Sequence, residues 1–227
     1  MSAQRVVIAG GGGVLGRALA TEFARAGHEV ISLRRQAQAA GLEGVLELAC
    51  DLGDAASAYD TLTRLAAESG PVDALVYNAA HLVVAPFEEL ALSEFEAAWR
   101  VCIAGAVGCA QAVLPAMRAR GHGTLIFSGA TASVRGGARF AAFAAAKFAL
   151  RGLAQSLARE YQPQGIHVVH VVLDGLLLGS PSHQRFGAED GNSIYPTDVA
   201  KTYRWLAEQA PSAWTHELDL RPQRERF

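Results

Sequence analysis

The stretch RVVIAGGGGVLGRALATEFARAG, residues 5–27, decides the fold. Residues 5–9 form a short run, apolar from Val6 onward, that reads as a strand. Gly10 to Gly13 follow it and lead through Val14-Leu15 to Gly16, and residues 17–24 then continue as an amphipathic helix that Gly27 closes. Strand, glycine turn and helix in this order make a phosphate-binding unit. Glycine at 10 allows a positive φ, glycine at 13 lets a diphosphate approach bare backbone, and glycine at 16 permits close helix–sheet contact. The unpaired N–H groups of the first helical turn face the anion. The residues expected at a dinucleotide are Gly10, Gly12, Gly13, Val14, Leu15 and Gly16. The following strand, 29–33, runs into Arg34-Arg35, at the point where NAD-binding folds place an acid against the ribose hydroxyls. No acid stands there, and guanidinium suits a 2′-phosphate as a charge-assisted fork. NADP(H) is therefore favoured over NAD(H), with Arg34 and Arg35 as its contacts; the alternative is a solvated arginine pair at a strand end.

Outward from this unit the same alternation repeats. Residues 5–9, 29–33, 45–49, 72–77, 124–127 and 166–173 read as strands, with Ala/Leu-rich helical patterns in the gaps. Strands apolar throughout, separated by helices, predict right-handed βαβ crossovers and a parallel sheet covered on both faces. The expected fold is a single doubly wound α/β/α domain of Rossmann type over residues 1–227. A last strand over 216–220, alternating and followed by Arg221, Arg224, Glu225 and Arg226, reads as a charged sheet edge.

Composition narrows the function. The chain has 227 residues, a formal charge of -2 and 51% hydrophobic residues, with no run of like charges. That excludes disorder and offers no basic face to nucleic acid or anionic lipid. No uninterrupted apolar stretch reaches the roughly 18 residues of a bilayer span, and residues 6–9 are too short for a signal core. Cys50, Cys102 and Cys109 form neither a disulfide framework nor a C-x-x-C site, so a reducing cytoplasm is the expected location. His167 and His170 lie three apart in a strand and point to opposite faces, so no metal site is expected. No G-x-S-x-G elbow supports a hydrolase.

Two helical stretches, 95–117 and 140–160, carry small or apolar residues around almost the whole circumference, including Gly105, Gly108 and Gly152. A helix apolar all round is buried all round, and the sheet covers only one side. These helices, with the positive mean hydropathy of the chain, predict a homodimer or homotetramer built through them.

From residue 5 to about residue 222 the sequence resembles the short-chain dehydrogenase/reductase family. The glycine turn carries the resemblance, together with Asp51-Leu52 after the third strand, Asn78-Ala79-Ala80 after the fourth, Lys147, and Pro196-Thr197-Asp198-Val199-Ala200. The resemblance implies that Asp51 and Leu52 contact the adenine and that Asn78, Ala79 and Ala80 line the coenzyme. It also implies that Lys147 binds the nicotinamide ribose and lowers the pKa of a catalytic tyrosine in a Tyr-x-x-x-Lys signature. Asp174-Gly175 stands where the family has Pro-Gly beside the nicotinamide, and residues 180–195 stand where it has a substrate-covering lid.

The chain departs from this pattern at the chemistry itself. Four residues before Lys147 stands Phe143, thirteen before that stands Ala130 in place of a serine, and Cys102 occupies the place of the helix asparagine. A phenyl ring neither donates nor accepts a proton. Substitute donors within the expected cleft are Ser128, Thr131, Ser133, Tyr77, His81 and His183, with His81 first because it follows a strand's carboxyl end and an imidazole both takes and gives a proton. The reading is an NADP(H)-binding oxidoreductase with an atypical site for an unknown small carbonyl, alcohol or enone. The alternatives are a catalytically silent NADP(H) sensor or partner subunit, and a non-redox enzyme reusing the cleft.

Overall fold

Alternation within the first strand assigns the two faces of the sheet. In the computed structural model, which describes residues 3–36, 41–187 and 191–225, Val6 and Ile8 of β1 (Arg5–Ala9) join one core and Val7 and Ala9 the other. The chain continues through α1 (Val14–Arg25), β2 (Glu29–Arg34), β3 (Val45–Ala49), α2 (Ala55–Ser69) and β4 (Ala74–Tyr77). Then come α3 (Leu92–Trp99), α4 (Gly105–Arg120), β5 (Gly123–Ser128), α5 (Ala141–Tyr161) and β6 (Ile166–Leu173). The last part holds β7 (Leu176–Leu177), α6 (Pro181–Phe186), β8 (Ser193–Ile194), α7 (Pro196–Ala207) and β9 (Glu217–Leu220).

Seven strands form one sheet in the order β3-β2-β1-β4-β5-β6-β9, every pair parallel. The expected doubly wound α/β/α fold is present. α1 and α7 cover one face, and α2, α4 and α5 the other. Strand order reverses between β1 and β4, which opens a crevice at the carboxyl ends of both, where ligands bind in such sheets. β9 is the edge strand expected near the C-terminus; Arg226 lies outside the described residues. β3 forms the other edge and is not buried on both faces, since Leu46 is exposed.

The helix expected over 95–117 is instead three pieces. α3 passes through a π-helical turn, Arg100–Ala104, into α4, which ends at Arg120. The local cause is Tyr77, whose hydroxyl takes the Val101 carbonyl. Gly105 and Gly108 serve contact inside the chain: a Cβ on them would lie 2.1 Å from Leu52 O and 2.4 Å from Ala55 O. These glycines let α4 press against the start of α2. The helical run 92–120 is long and apolar enough to cross a bilayer by length and composition, although Gln111 interrupts its longest apolar stretch, and 56% of its apolar window is buried inside the protein.

Candidate active site

The glycine turn sits in the crevice between β1 and β4. Gly10 (φ +99°) leaves no room for a side chain, because a Cβ would stand 2.6 Å from Ala79 N. Asn78 locks the turn from the other side: its amide donates to Ala9 O at 2.8 Å and its Nδ2 to Gly10 O at 3.2 Å. Gly16 is equally constrained, with a Cβ falling 2.4 Å from Gly10 O. Gly12 and Gly13 are exposed, and a Cβ on Gly13 would meet nothing within 4 Å. Gly13 caps α1 without a side-chain hydrogen bond, and no acid stands in the first turn. Bare backbone and a helix N-terminus uncapped by any side chain together fit a diphosphate. Leu15 differs from expectation, since its side chain is buried in the α1–α7 core and only its backbone faces this turn.

At the adenosine end Arg34 lies across Gly12, whose Cβ would come within 3.9 Å of its Nε and Nη2. Arg34 is not the solvated arginine of the alternative reading. Nη1 of Arg34 donates to both carboxylate oxygens of Glu47, at 3.0 and 3.2 Å, and the Glu47 side chain is only 6% exposed. An acid is thus present at this edge, delivered by β3. Arg35 is exposed, and makes no ion pair among the described residues. Asp51 accepts from Gly53 N at 2.9 Å and is otherwise solvated, while Leu52 is buried.

Lys147 is buried in α5, its Nζ donating to the Ser128 carbonyl at 2.7 Å. Burial lowers its pKa, partly offset by Cys102. Helical i, i+4 spacing puts Phe143 on the same face, with Nζ 5.7 Å from its ring centroid. Ala130 has extended backbone, and its amide is taken by Ser133 Oγ at 3.1 Å. Cys102 is buried in the π turn next to Val101.

Each candidate substitute donor is already engaged. Ser128 Oγ pairs with Tyr203 Oη at 2.9 Å inside the core, Ser133 caps Ala130, and Tyr77 is held by Val101. His183 Nε2 lies 3.1 Å from Ser193 Oγ. His81 turns to α3, its Nε2 3.2 Å from Glu94 Oε2, and makes no hydrogen bond or ion pair with Lys147 among the described residues. Thr131, next to Ala130, donates a short hydrogen bond to Asp174.

Asp174 is a second departure from expectation. Its buried carboxylate is claimed by the protein: besides Thr131 it meets Arg221 Nη2 at 3.3 Å and Arg135 Nη2 at 3.7 Å. It therefore ties the end of β6 to the loop after β5 and to the C-terminal tail. Gly175 is required beside it, because a Cβ would stand 2.7 Å from Pro222 Cδ. The segment 180–195 carries α6, capped by Ser180, with Phe186 6.1 Å from the Phe140 ring; residues 188–190 lie outside the described residues. Gly179, just before it, faces Val14, which sets the segment beside the start of α1.

Sequence reasoning missed Glu47 as the partner of Arg34 and Glu217 as the partner of His170. The available signal was polar residues inside otherwise apolar strands, Glu47 in VLELA and His170, with His167, in IHVVHVVL. Such residues need a partner when buried. Spacing alone does not say which.

Residues 4–179 match the family model described as short chain dehydrogenase. The D-threitol dehydrogenase of Mycolicibacterium smegmatis is 26% identical over 233 residues, covering 94% of this chain and 89% of that protein. The chain spans about half the length of the 3-dehydrosphinganine reductases it also matches. Among solved structures, a short-chain dehydrogenase from Rhodopseudomonas palustris superposes with a TM-score of 0.81 at 31% identity, covering 96% of this chain and 98% of the other. A metagenomic short-chain oxidoreductase in complex with NADP gives a TM-score of 0.84 at 27% identity, covering 98% and 99%.

Proposed function

This chain belongs to the short-chain dehydrogenase family, and from that membership we propose that it is an NADP(H)-binding oxidoreductase with an atypical site. Its substrate is a small carbonyl, alcohol or enone. The observation that carries the reading is the cradle at Gly10 to Gly16, bare of side chains at Gly12 and Gly13 and backed by a helix start that no side chain caps. The similar oxidoreductase with NADP supports it. NADP(H) is preferred over NAD(H) because the Arg34 guanidinium lies across Gly12 and Arg35 is exposed beside it, two cations against the single carboxylate of Glu47.

When bound, the coenzyme supplies or accepts the hydride. Lys147, anchored by Ser128 O, keeps N–H groups for the nicotinamide ribose. Phe143, Ala130 and Cys102 occupy the positions of the family's tyrosine, serine and asparagine. Loss of a general acid alone costs a factor of about 10² to 10⁴. That same observation favours a second reading, a silent NADP(H) sensor or partner subunit. The segment 180–195 is the lid over the substrate, and the exposed faces of α3 and α5, with Trp99 and Phe148, join copies of the chain into a homodimer or homotetramer.

Calorimetry with NADPH and NADH tests the coenzyme assignment, and absence of binding at millimolar coenzyme would sink it. Consumption of NADPH with any member of a panel of aldehydes, ketones, quinones and enones establishes the oxidoreductase. Binding without consumption across the panel establishes the sensor. The double variant Phe143→Tyr, Ala130→Ser is expected to gain carbonyl reduction.

A further inference from the structure

One turn beyond Lys147 on α5, Arg151 reaches the sheet edge and donates from Nε and Nη2 to the two oxygens of Glu217, each at 2.7 Å. Glu217 stands opposite His170 across the β6–β9 pair, and its Oε2 lies 3.1 Å from His170 Nδ1. An ionised carboxylate only accepts, so Nδ1 carries the ring proton and Nε2 bears the lone pair. His170 is completely buried, and Nε2 has no hydrogen-bond partner among the described residues. That atom lies against Gly129, 2.4 Å from where a Cβ on that residue would be. Gly129 is the residue between Ser128, whose carbonyl holds Lys147, and Ala130. A buried acceptor without a donor is costly, and so is a buried ammonium with one acceptor. Each needs what the other has. Cys102 of the π turn acts on the ammonium and the Phe143 ring lies 5.7 Å from it, while the ammonium and Arg151 both act on His170, which Glu217 of β9 holds through Nδ1.

We propose that Arg151, Glu217 and His170 form a brace beneath Lys147, in which His170 Nε2 accepts a hydrogen bond from the ammonium through one bridging water and keeps it charged and aimed. His170 is thus a positioning residue. The proposal deepens the reading of Lys147 as the ribose-binding lysine and takes its functional meaning from it, but its test needs no coenzyme.

The chain's lysines are Lys147 and Lys201, so ¹³C/¹⁵N-lysine labelling with Lys201→Arg leaves a single ammonium to titrate by NMR in the full chain. His170→Leu removes the acceptor and is expected to lower the Lys147 midpoint by about one pH unit, a tenfold change in charged fraction above it. His170→Gln, which keeps an acceptor, returns most of that shift. Glu217→Gln, at the partly exposed end, lowers the midpoint in the same direction and decides the question should His170→Leu fail to fold. An unchanged Lys147 midpoint in the folded His170→Leu or Glu217→Gln chain overturns the brace. Failure of the coenzyme reading shows separately, as absent NADPH binding to the unmodified protein.

Discussion

His170 is neutral where a solvated histidine would be half charged. Burial pushes its pKa down to about 4, against a smaller upward pull from Glu217, while Arg151 holds Glu217 below the usual carboxylate range. Between about pH 6.5 and 4 the unfolded chain therefore carries a proton on His170 that the folded chain refuses, and stability falls as pH drops through that window. Urea unfolding at pH 7 and 4.5 is expected to differ by about 2–3 kcal/mol from this residue. His170→Gln should flatten that difference, and an equal pH slope in both chains would remove the assignment. Arg34 makes a separate prediction. Arg34→Ala should weaken NADPH binding by tenfold or more while leaving NADH within about twofold, the difference corresponding to one charge-assisted hydrogen bond. Calorimetry with the two coenzymes reads it directly.

At the scale of elements, the turn between β1 and α1 separates glycines that serve the fold from those that serve the ligand. Gly16→Ala drives a methyl onto Gly10 O, a backbone atom that cannot step aside. The expected loss is about 1–3 kcal/mol, visible as a lower Tm. Gly13 has φ -83° as the cap of α1, and open space where a Cβ would go. Gly13→Ala should leave Tm unchanged and weaken NADPH binding by tenfold or more, because the methyl covers the backbone a diphosphate approaches. Equal effects of the two substitutions on Tm would contradict this division. The π turn between α3 and α4 belongs to the same scale: it exists because Tyr77 takes one carbonyl and Gly105 lets the helix touch Leu52.

Across the whole molecule, the faces of α3 and α5 away from the sheet leave Trp99 and Phe148 exposed, and Gly152 has open space around it. Sedimentation should give a species of at least twice the 23.9 kDa chain. Gly152→Glu, placing a charge on that face without an internal clash, should shift it to monomer; a monomer in the unmodified protein would end the proposal. Much of the layout was legible beforehand. Local periodicity set the strands over 5–9, 45–49 and 166–173 and the order of strand, glycine turn and helix, because these depend on residues near one another in the chain. The cradle was legible for the same reason, down to Gly10 and Gly16. Partnerships were not. Arg34 and Glu47 are 13 residues apart, Thr131 and Asp174 43, and His170 and Glu217 47. Each pair meets only because parallel crossovers bring distant segments to one end or edge of the sheet. The sequence alone determined which residue types stand at the glycine turn and that a phenylalanine, Phe143, stands four residues before Lys147. Tertiary structure alone decided which charges are already neutralised and which buried polar atoms, above all His170 Nε2, have no hydrogen-bond partner among the described residues, because burial and pairing are properties of neighbours in space.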